Sequence, residues 1–280
     1  MVLTVGGGSG RVSGAKVPTR PFPGTGRSWH FRVGAVGFGG KLARKMPTTD
    51  RVVLITGATG VLGREVARMF AADRARLGLV GTDGDRLAAV AHDLGLPDDR
   101  WVAGIGDLRQ RDGARSAVET VTAAFGRVDV LAHLVGGYVG GTAIADIDPA
   151  DVRLMLDQHL WTTLHVTQAV VPGMVERGWG RVLAVSAPVA SEPPAKMAAY
   201  AVGKAAEEVL LRTLAREVAG AGVTVNLVIV KAIDETGVRA TDPKKASWTG
   251  PDEIAATFRF LASDDAAAVT GARIPLYGRA

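Results

Sequence analysis

Tyr200 and Lys204 stand four residues apart in the run Ala198-Ala199-Tyr200-Ala201-Val202-Gly203-Lys204. On a helix that spacing puts both side chains on one face. An ammonium near a phenol favours the phenolate and lowers its pKa from the ordinary value of about 10. A tyrosine so placed can give or take a proton near neutral pH. The same spacing also occurs on plain helix surface, so the pair needs support from elsewhere in the chain. One source is the segment Thr56-Gly57-Ala58-Thr59-Gly60-Val61-Leu62-Gly63, which follows an apolar run and precedes a helical pattern. Glycines there permit a tight turn and let the N–H groups of a helix N-terminus approach a pyrophosphate. A plain strand-to-helix turn is the alternative, but the loop follows the first strand of a βαβ unit, which speaks for a ligand. Further along, Gly106-Asp107-Leu108 offers a carboxylate that either accepts from an adenine amino group or caps a turn.

The elements that must position these groups alternate regularly. Apolar runs at Val52–Thr56, Leu77–Val80, Trp101–Ile105, Val128–Leu134, Arg181–Val185, Val223–Val230 and Ala272–Leu276 are bounded by Gly, Asp or loop residues. Helical patterns fill the gaps at 61–73, 84–94, 112–125, 151–177, 198–219 and 251–263. Strands apolar on both faces need helices on each side. Seven strands with six crossovers predict an α/β fold: a doubly wound parallel sheet of the Rossmann type, with helices on both faces. On the helix that carries the tyrosine, Val202, Ala206, Leu210 and Leu214 are expected to form the buried stripe.

Composition narrows the chemistry further. The 280 residues contain no cysteine, which excludes disulfides, thiolate–metal sites and a cysteine nucleophile. No apolar run is long enough to span a bilayer. Residues 1–45 hold eight of the Lys and Arg residues and no acid, so the remainder has 25 basic against 28 acidic residues. The net charge of +5 therefore belongs to this segment, and the body is mildly acidic. The segment also carries 11 of the 36 glycines, a composition too poor in apolar surface to offset ordering entropy. We read 1–45 as a disordered basic tail and 46–280 as one domain. The tail is an upstream extension with the working start at Met46, an organelle transit peptide, or a nucleic-acid-binding arm, in that order of preference.

Together these residues resemble the short-chain dehydrogenase/reductase family over about 50–280. The matching pieces fall in order: the glycine loop, Gly106-Asp107-Leu108, Asp129-Val130-Leu131 before Gly136, the Tyr200/Lys204 pair, Val225-Asn226, and Leu261 to Asp265 with Thr270-Gly271. The resemblance implies a dinucleotide bound by Gly57, Thr59, Gly60, Leu62, Gly63, Asp107, Gly136 and Lys204. It implies Tyr200 as general acid/base, with Lys204 holding the nicotinamide ribose. It also implies a serine that holds the substrate oxygen, and a helix asparagine whose carbonyl supports a water relay.

Several positions depart from that pattern, and they lie near the chemistry. The serine position, thirteen residues before the tyrosine, is Ala187. Ser186 replaces it if the chain shifts register at Pro188; otherwise alternation along the strand turns Ser186 away. Ser191 is a weaker substitute. The asparagine position is His159, and His133-Leu134-Val135-Gly136 stands where the family has two asparagines. Both histidines are read as packing residues, His159 staying neutral beside a charged lysine. No metal site is expected.

The end of the second strand is Gly81, without the carboxylate that binds ribose hydroxyls in NAD-preferring members, so NADP is favoured over NAD. The expected function is hydride transfer between a nicotinamide cofactor and a carbonyl or alcohol. The alternative is a dinucleotide-binding sensor or partner protein with weak or no chemistry. A cytoplasmic homodimer or homotetramer is expected, paired through the two long helices, with no membrane and no nucleic acid as partner. If the tail is dispensable, a protein starting at Met46 will melt at the same temperature as the full chain. Paired calorimetric scans check this, and a large drop on truncation would mean that the tail packs on the body.

Overall fold

A computed structural model describes residues 51–278, so the expectations for 1–45 lie outside the described residues. The seven strands are β1 (Val52–Thr56), β2 (Arg76–Gly81), β3 (Trp101–Ile105), β4 (Val130–His133), β5 (Gly180–Ser186), β6 (Val223–Ile229) and β7 (Arg273–Pro275). They form one parallel sheet in the order β3-β2-β1-β4-β5-β6-β7. The chain winds outward from β1 in one direction, then returns and winds outward from β4 in the other. β1 and β4 are hydrogen-bonded neighbours, so the crevice at their carboxyl ends is the switch point where such sheets place ligands.

Helices α1 (Val61–Ala72), α2 (Gly84–Asp93), α3 (Arg111–Phe125), α4 (Pro149–Leu156), α5 (Thr162–Arg177), α6 (Ala198–Glu217) and α7 (Pro251–Leu261) cover the sheet. Alternate residues of one strand serve the two layers. Val53 and Ile55 of β1 pack with Leu62, Val66 and Phe70 of α1 and Phe258 of α7. Val52 and Leu54 face the other way, with Ala117 of α3, Val166 of α5 and Leu211 of α6. Both faces of β1 are therefore sealed, which is why its sequence is an unbroken Val-Val-Leu-Ile run. Asn226, fully buried in β6, does structural work. Its Nδ2 donates to Val269 O at 2.7 Å and its Oδ1 accepts from Ala272 N at 3.2 Å, anchoring the loop into β7.

Two expectations need correction. The helix expected over 151–177 is α4 and α5 separated by a π-helical turn, Asp157–Trp161. The wider turn accommodates one extra residue, and it carries His159 inward. On α6 the buried residues are Ala201, Lys204, Glu207, Glu208, Leu211 and Ala215, while Val202 and Val209 are exposed. The helix turns charged residues inward because the site lies there; of the expected stripe, Leu210 and Leu214 pack partly buried against the core, while Val202 lies outside.

The π turn and α6 meet at Gly203. A Cβ there would stand 2.8 Å from Met155 O and 3.0 Å from the His159 ring. Gly203→Ala must push α4 away from α6, and overpacking of this kind costs about 1–3 kcal/mol. Urea unfolding of that variant should show the loss as a lower midpoint with unchanged slope.

Candidate active site

The glycine loop joins β1 to α1, and its three glycines have different reasons. Gly57 adopts φ +67, and its missing Cβ would stand 3.0 Å from Leu134 O. At Gly63 a Cβ would come within 2.3 Å of Gly57 O. Both are demanded by the backbone itself. Gly60 is different: its conformation is ordinary, and a Cβ would meet only Gly57 O, at 3.4 Å. Open space therefore lies beside it. Gly60 is the N-cap of α1, no side chain caps that end, and the first turn has no acid. The opening amides of a helix have no intrahelical acceptor, so those of Val61, Leu62 and Gly63 are available to an anion. The Leu62 side chain lies in the core, which leaves only its backbone for this purpose. Thr59 is half-buried at the loop, and its carbonyl lies 3.4 Å from the Arg64 guanidinium, which is itself paired with Asp93. This cradle fits the diphosphate of a dinucleotide.

At the adenine end the fit is less open. Arg109 binds both Asp107 carboxylate oxygens, Nε to Oδ1 at 2.9 Å and Nη2 to Oδ2 at 2.8 Å. The guanidinium holds the Asp107 carboxyl below its usual range. An adenine amino group would have to displace Arg109, so Asp107 is not the open acceptor expected from the sequence. Past Gly81, Asp83 is turned to cap α2, accepting from Arg86 N at 3.1 Å. No carboxylate from that step is left facing a ribose.

Tyr200 begins α6 and is half-buried. Its ring stands edge-on to His159, with centroids 5.7 Å apart, and to Tyr138, at 5.3 Å. Burial raises its pKa, while the Lys204 charge pulls the other way. The expected lowering of this phenol is therefore corrected: desolvation outweighs the lysine. Lys204 is only 7% exposed. Its Nζ donates to Val185 O at 2.8 Å and to Glu207 Oε2 at 2.8 Å. Two of three ammonium N–H directions are thus occupied, leaving one for a ribose hydroxyl.

Ala187 packs in a small cluster with Val189, Ala201, Met197 and Tyr200. The position expected to hold a serine therefore presents a methyl group beside the tyrosine. Ser186 ends β5 with its Oγ buried and without a hydrogen-bond partner, and Ser191 Oγ donates to Pro188 O. The register is regular up to Ser186, which pairs with Ile229. Strand alternation thus holds, and the Ser186 hydroxyl is sealed from solvent instead of facing a substrate.

The two histidines are neutral and fixed in tautomer. His133 is fully buried, and burial, then the Lys204 charge, lowers its pKa to about 3. Thr162 Oγ1 gives its proton to Gln158 O, so it accepts from His133 Nε2. Leu134 N donates to Thr56 Oγ1, whose own proton then goes to His133 Nδ1 at 2.8 Å. His133 thus ties the root of the glycine loop to the π turn, a packing role. His159 is likewise lowered to about 3 by burial and then by Lys204. Its Nε2 donates to Gly137 O at 3.0 Å. Gly136 makes room for it, since a Cβ there would meet the imidazole Cε1 at 2.8 Å. The His159 carbonyl, expected to serve a water relay, already accepts from Thr163 Oγ1.

Two residues of the site were missed from the sequence. Tyr138, 62% exposed, leans over Tyr200 from the loop after β4, and only its nearness to Gly136 hinted at this. Glu207, 1% exposed, was recognisable in principle as an acid three residues after the lysine. Among the described residues no helix is long and apolar enough to cross a membrane.

Comparison with known proteins gives this geometry its context. The family model described as short chain dehydrogenase matches residues 51–247. The chain is 32% identical, over 234 residues, to the BbsC subunit of (2S)-[(R)-hydroxy(phenyl)methyl]succinyl-CoA dehydrogenase from Thauera aromatica, covering 81% of this chain and 93% of that one. It is 30% identical to acetoacetyl-CoA reductase from Cupriavidus necator, covering 82% and 98%. Among solved structures, L-sorbose reductase from Gluconobacter frateurii, complexed with NADPH and L-sorbose, is similar at a TM-score of 0.75 and 26% identity, covering 84% and 98%.

Because Gly60 lines open space without strain, Gly60→Leu should fold normally yet fill the place where a diphosphate would lie. Fluorescence titration with NADPH and NADH should show binding in wild type and a loss of at least tenfold in the variant. Equal affinities would put the dinucleotide elsewhere.

Proposed function

The chain belongs to the short chain dehydrogenase family, as an NAD(P)-dependent oxidoreductase, and from that premise we propose that it reduces a carbonyl compound with Tyr200 as proton donor. The observation that carries this is the half-buried Tyr200 on α6, four residues before the buried Lys204 ammonium of the same helix, whose charge acts on the phenol. A phenol that keeps its proton at neutral pH is an acid, which suits reduction better than oxidation. When bound, the nicotinamide supplies the hydride. Tyr200 Oη–H gives its proton to the carbonyl oxygen as that oxygen gains charge. Lys204 stabilises the phenolate left behind and offers its remaining N–H to the ribose. Tyr138 covers the ring and limits access of water.

We favour NADPH over NADH. In support, β2 ends in Gly81 where an acid would bind ribose hydroxyls, and the Asp83 carboxylate is engaged in capping α2. Exposed Leu154 of α4, Trp161 of the π turn, and Val202 and Val209 of α6 support pairing of two copies of the chain. A cytoplasmic location fits the absence of cysteine, which suits a reducing compartment.

A second reading has one specific observation behind it. Ala187 leaves the substrate oxygen without the hydroxyl that the family resemblance implies. A chain so altered can serve as a dinucleotide-binding partner subunit, and one relative is itself named as a subunit.

Kinetics with a carbonyl panel separate the two readings. In the reductase, Tyr200→Phe abolishes turnover without changing cofactor affinity. Ala187→Ser raises kcat by up to about 10²–10³, the usual worth of one donor to a developing oxyanion. Ser186→Ala changes little, because its hydroxyl is sealed. A partner subunit would give no turnover with any of these variants, and turnover undiminished in Tyr200→Phe would end the proposed mechanism.

A further inference from the structure

Glu207 is the carboxylate that the catalytic scheme leaves unused, and it lies inside the site. It is 1% exposed, on the buried face of α6. Its Oε2 accepts from Lys204 Nζ at 2.8 Å. The same oxygen lies 3.7 Å from Nδ1 of His159, and that nitrogen has no hydrogen-bond partner. Since Nε2 of His159 donates to Gly137 O, its Nδ1 presents a lone pair towards the carboxylate. An anion facing a lone pair at a buried position is unfavourable, and the Lys204 ammonium offsets it.

We propose that Glu207 is a positioning residue of this site: its buried carboxylate anchors the Lys204 ammonium beneath Tyr200, and its single negative charge sets how strongly that ammonium acts on the phenol. The proposal rests on the reading of Tyr200 as the acid. It assigns a role to a residue that neither the glycine loop nor the Tyr200/Lys204 spacing points to.

The charged and titratable groups around the pair are few. On α6, Tyr200, Lys204 and Glu208 are near, and Glu208 is turned to Arg273 of β7 at 2.6 Å. From the π turn comes His159, from β4 His133, and from the following loop Tyr138. Both histidines are held neutral, so Lys204 and Glu207 are the opposed charges that matter to Tyr200. Burial pushes the Glu207 carboxyl above its usual range, and the Lys204 charge and hydrogen bond pull against that shift to keep it ionised. Its charge raises the Tyr200 pKa, and that of Lys204 lowers it. Removing the carboxylate charge leaves the ammonium uncompensated, so the phenol must ionise at lower pH.

The protein has three tyrosines, Tyr138, Tyr200 and Tyr277, so ring-labelled tyrosine NMR can follow each phenol through a pH titration without turnover. Tyr200→Phe assigns the signal. In Glu207→Gln, which keeps shape and an acceptor for Lys204, the Tyr200 midpoint should fall by roughly one pH unit. The alkaline limb of kcat for carbonyl reduction should fall with it. Glu207→Asp, which keeps the charge, should stay near wild type. If Glu207→Gln does not fold, Glu207→Met removes the same charge with an apolar side chain of similar volume. A Tyr200 midpoint unmoved by loss of the charge, or moved as far by Asp as by Gln, overturns the proposal. Absence of turnover in wild type would instead remove the reductase reading, while the NMR titration would still decide the role of Glu207.

Discussion

Burying an ammonium is the constraint around which this site is built. A lone charge taken out of water is strongly unfavourable unless it is paired and hydrogen-bonded. Lys204 meets that condition with the Val185 carbonyl at the end of β5 and with Glu207 one turn along its own helix. The first contact fixes α6 against the carboxyl edge of the sheet. The second places a compensating anion where only a helix from the same chain could bring it. Neighbouring groups then follow from the charge. His133 and His159 stay neutral, because burial and the lysine both oppose a further cation. Their tautomers are set by threonine hydroxyls and by the Gly137 carbonyl.

Packing around a second buried ring marks the break between α4 and α5. The His159 ring enters the space left by Gly136 and Gly203, and its Nε2 donates to the Gly137 carbonyl. Those glycines and the π turn are one arrangement: the turn shifts the ring inward, and the missing Cβ atoms receive it. Thr162, Thr163 and Thr167 then take the backbone carbonyls of the preceding turn, each hydroxyl donating four residues back. Polar side chains thus satisfy a helix segment whose ladder has been offset.

The legibility of the sequence varied with the kind of signal. β1 and β3 were readable to the residue, since branched and aromatic runs bounded by glycine or loop residues leave little choice of register. The glycine loop was readable because two of its glycines are sterically required. The π turn was not, because a change in hydrogen-bond offset leaves the hydrophobic period of the flanking helices nearly intact. The buried face of α6 was legible only in part, at Leu210 and Leu214, and for a physical reason. Periodicity identifies a core by its apolar residues, and here Lys204, Glu207 and Glu208 turn inward while Val202 and Val209 remain outside. Tyr138 depends on a contact across a loop, which no local spacing reports.

What Ala187 and Glu207 mean together is a question of electrostatic economy. A hydroxyl donor at position 187 would stabilise negative charge on the substrate oxygen directly. In the proposed mechanism, with a methyl group there, that stabilisation falls on Tyr200, which must give its proton more fully in the transition state. An acid that transfers its proton more completely benefits from an ammonium close beneath it, because that charge offsets the growing phenolate. Yet an uncompensated ammonium would make the resting phenol ionise at lower pH and so give up its proton before substrate arrives at alkaline pH. Glu207 resolves the conflict: it screens Lys204 while Tyr200 is neutral, and the Coulomb attraction of the ammonium for a phenolate grows as the proton leaves. In this arrangement the tyrosine carries two tasks, proton donor and principal stabiliser of the substrate oxygen, and the buried carboxylate is what lets one residue hold both.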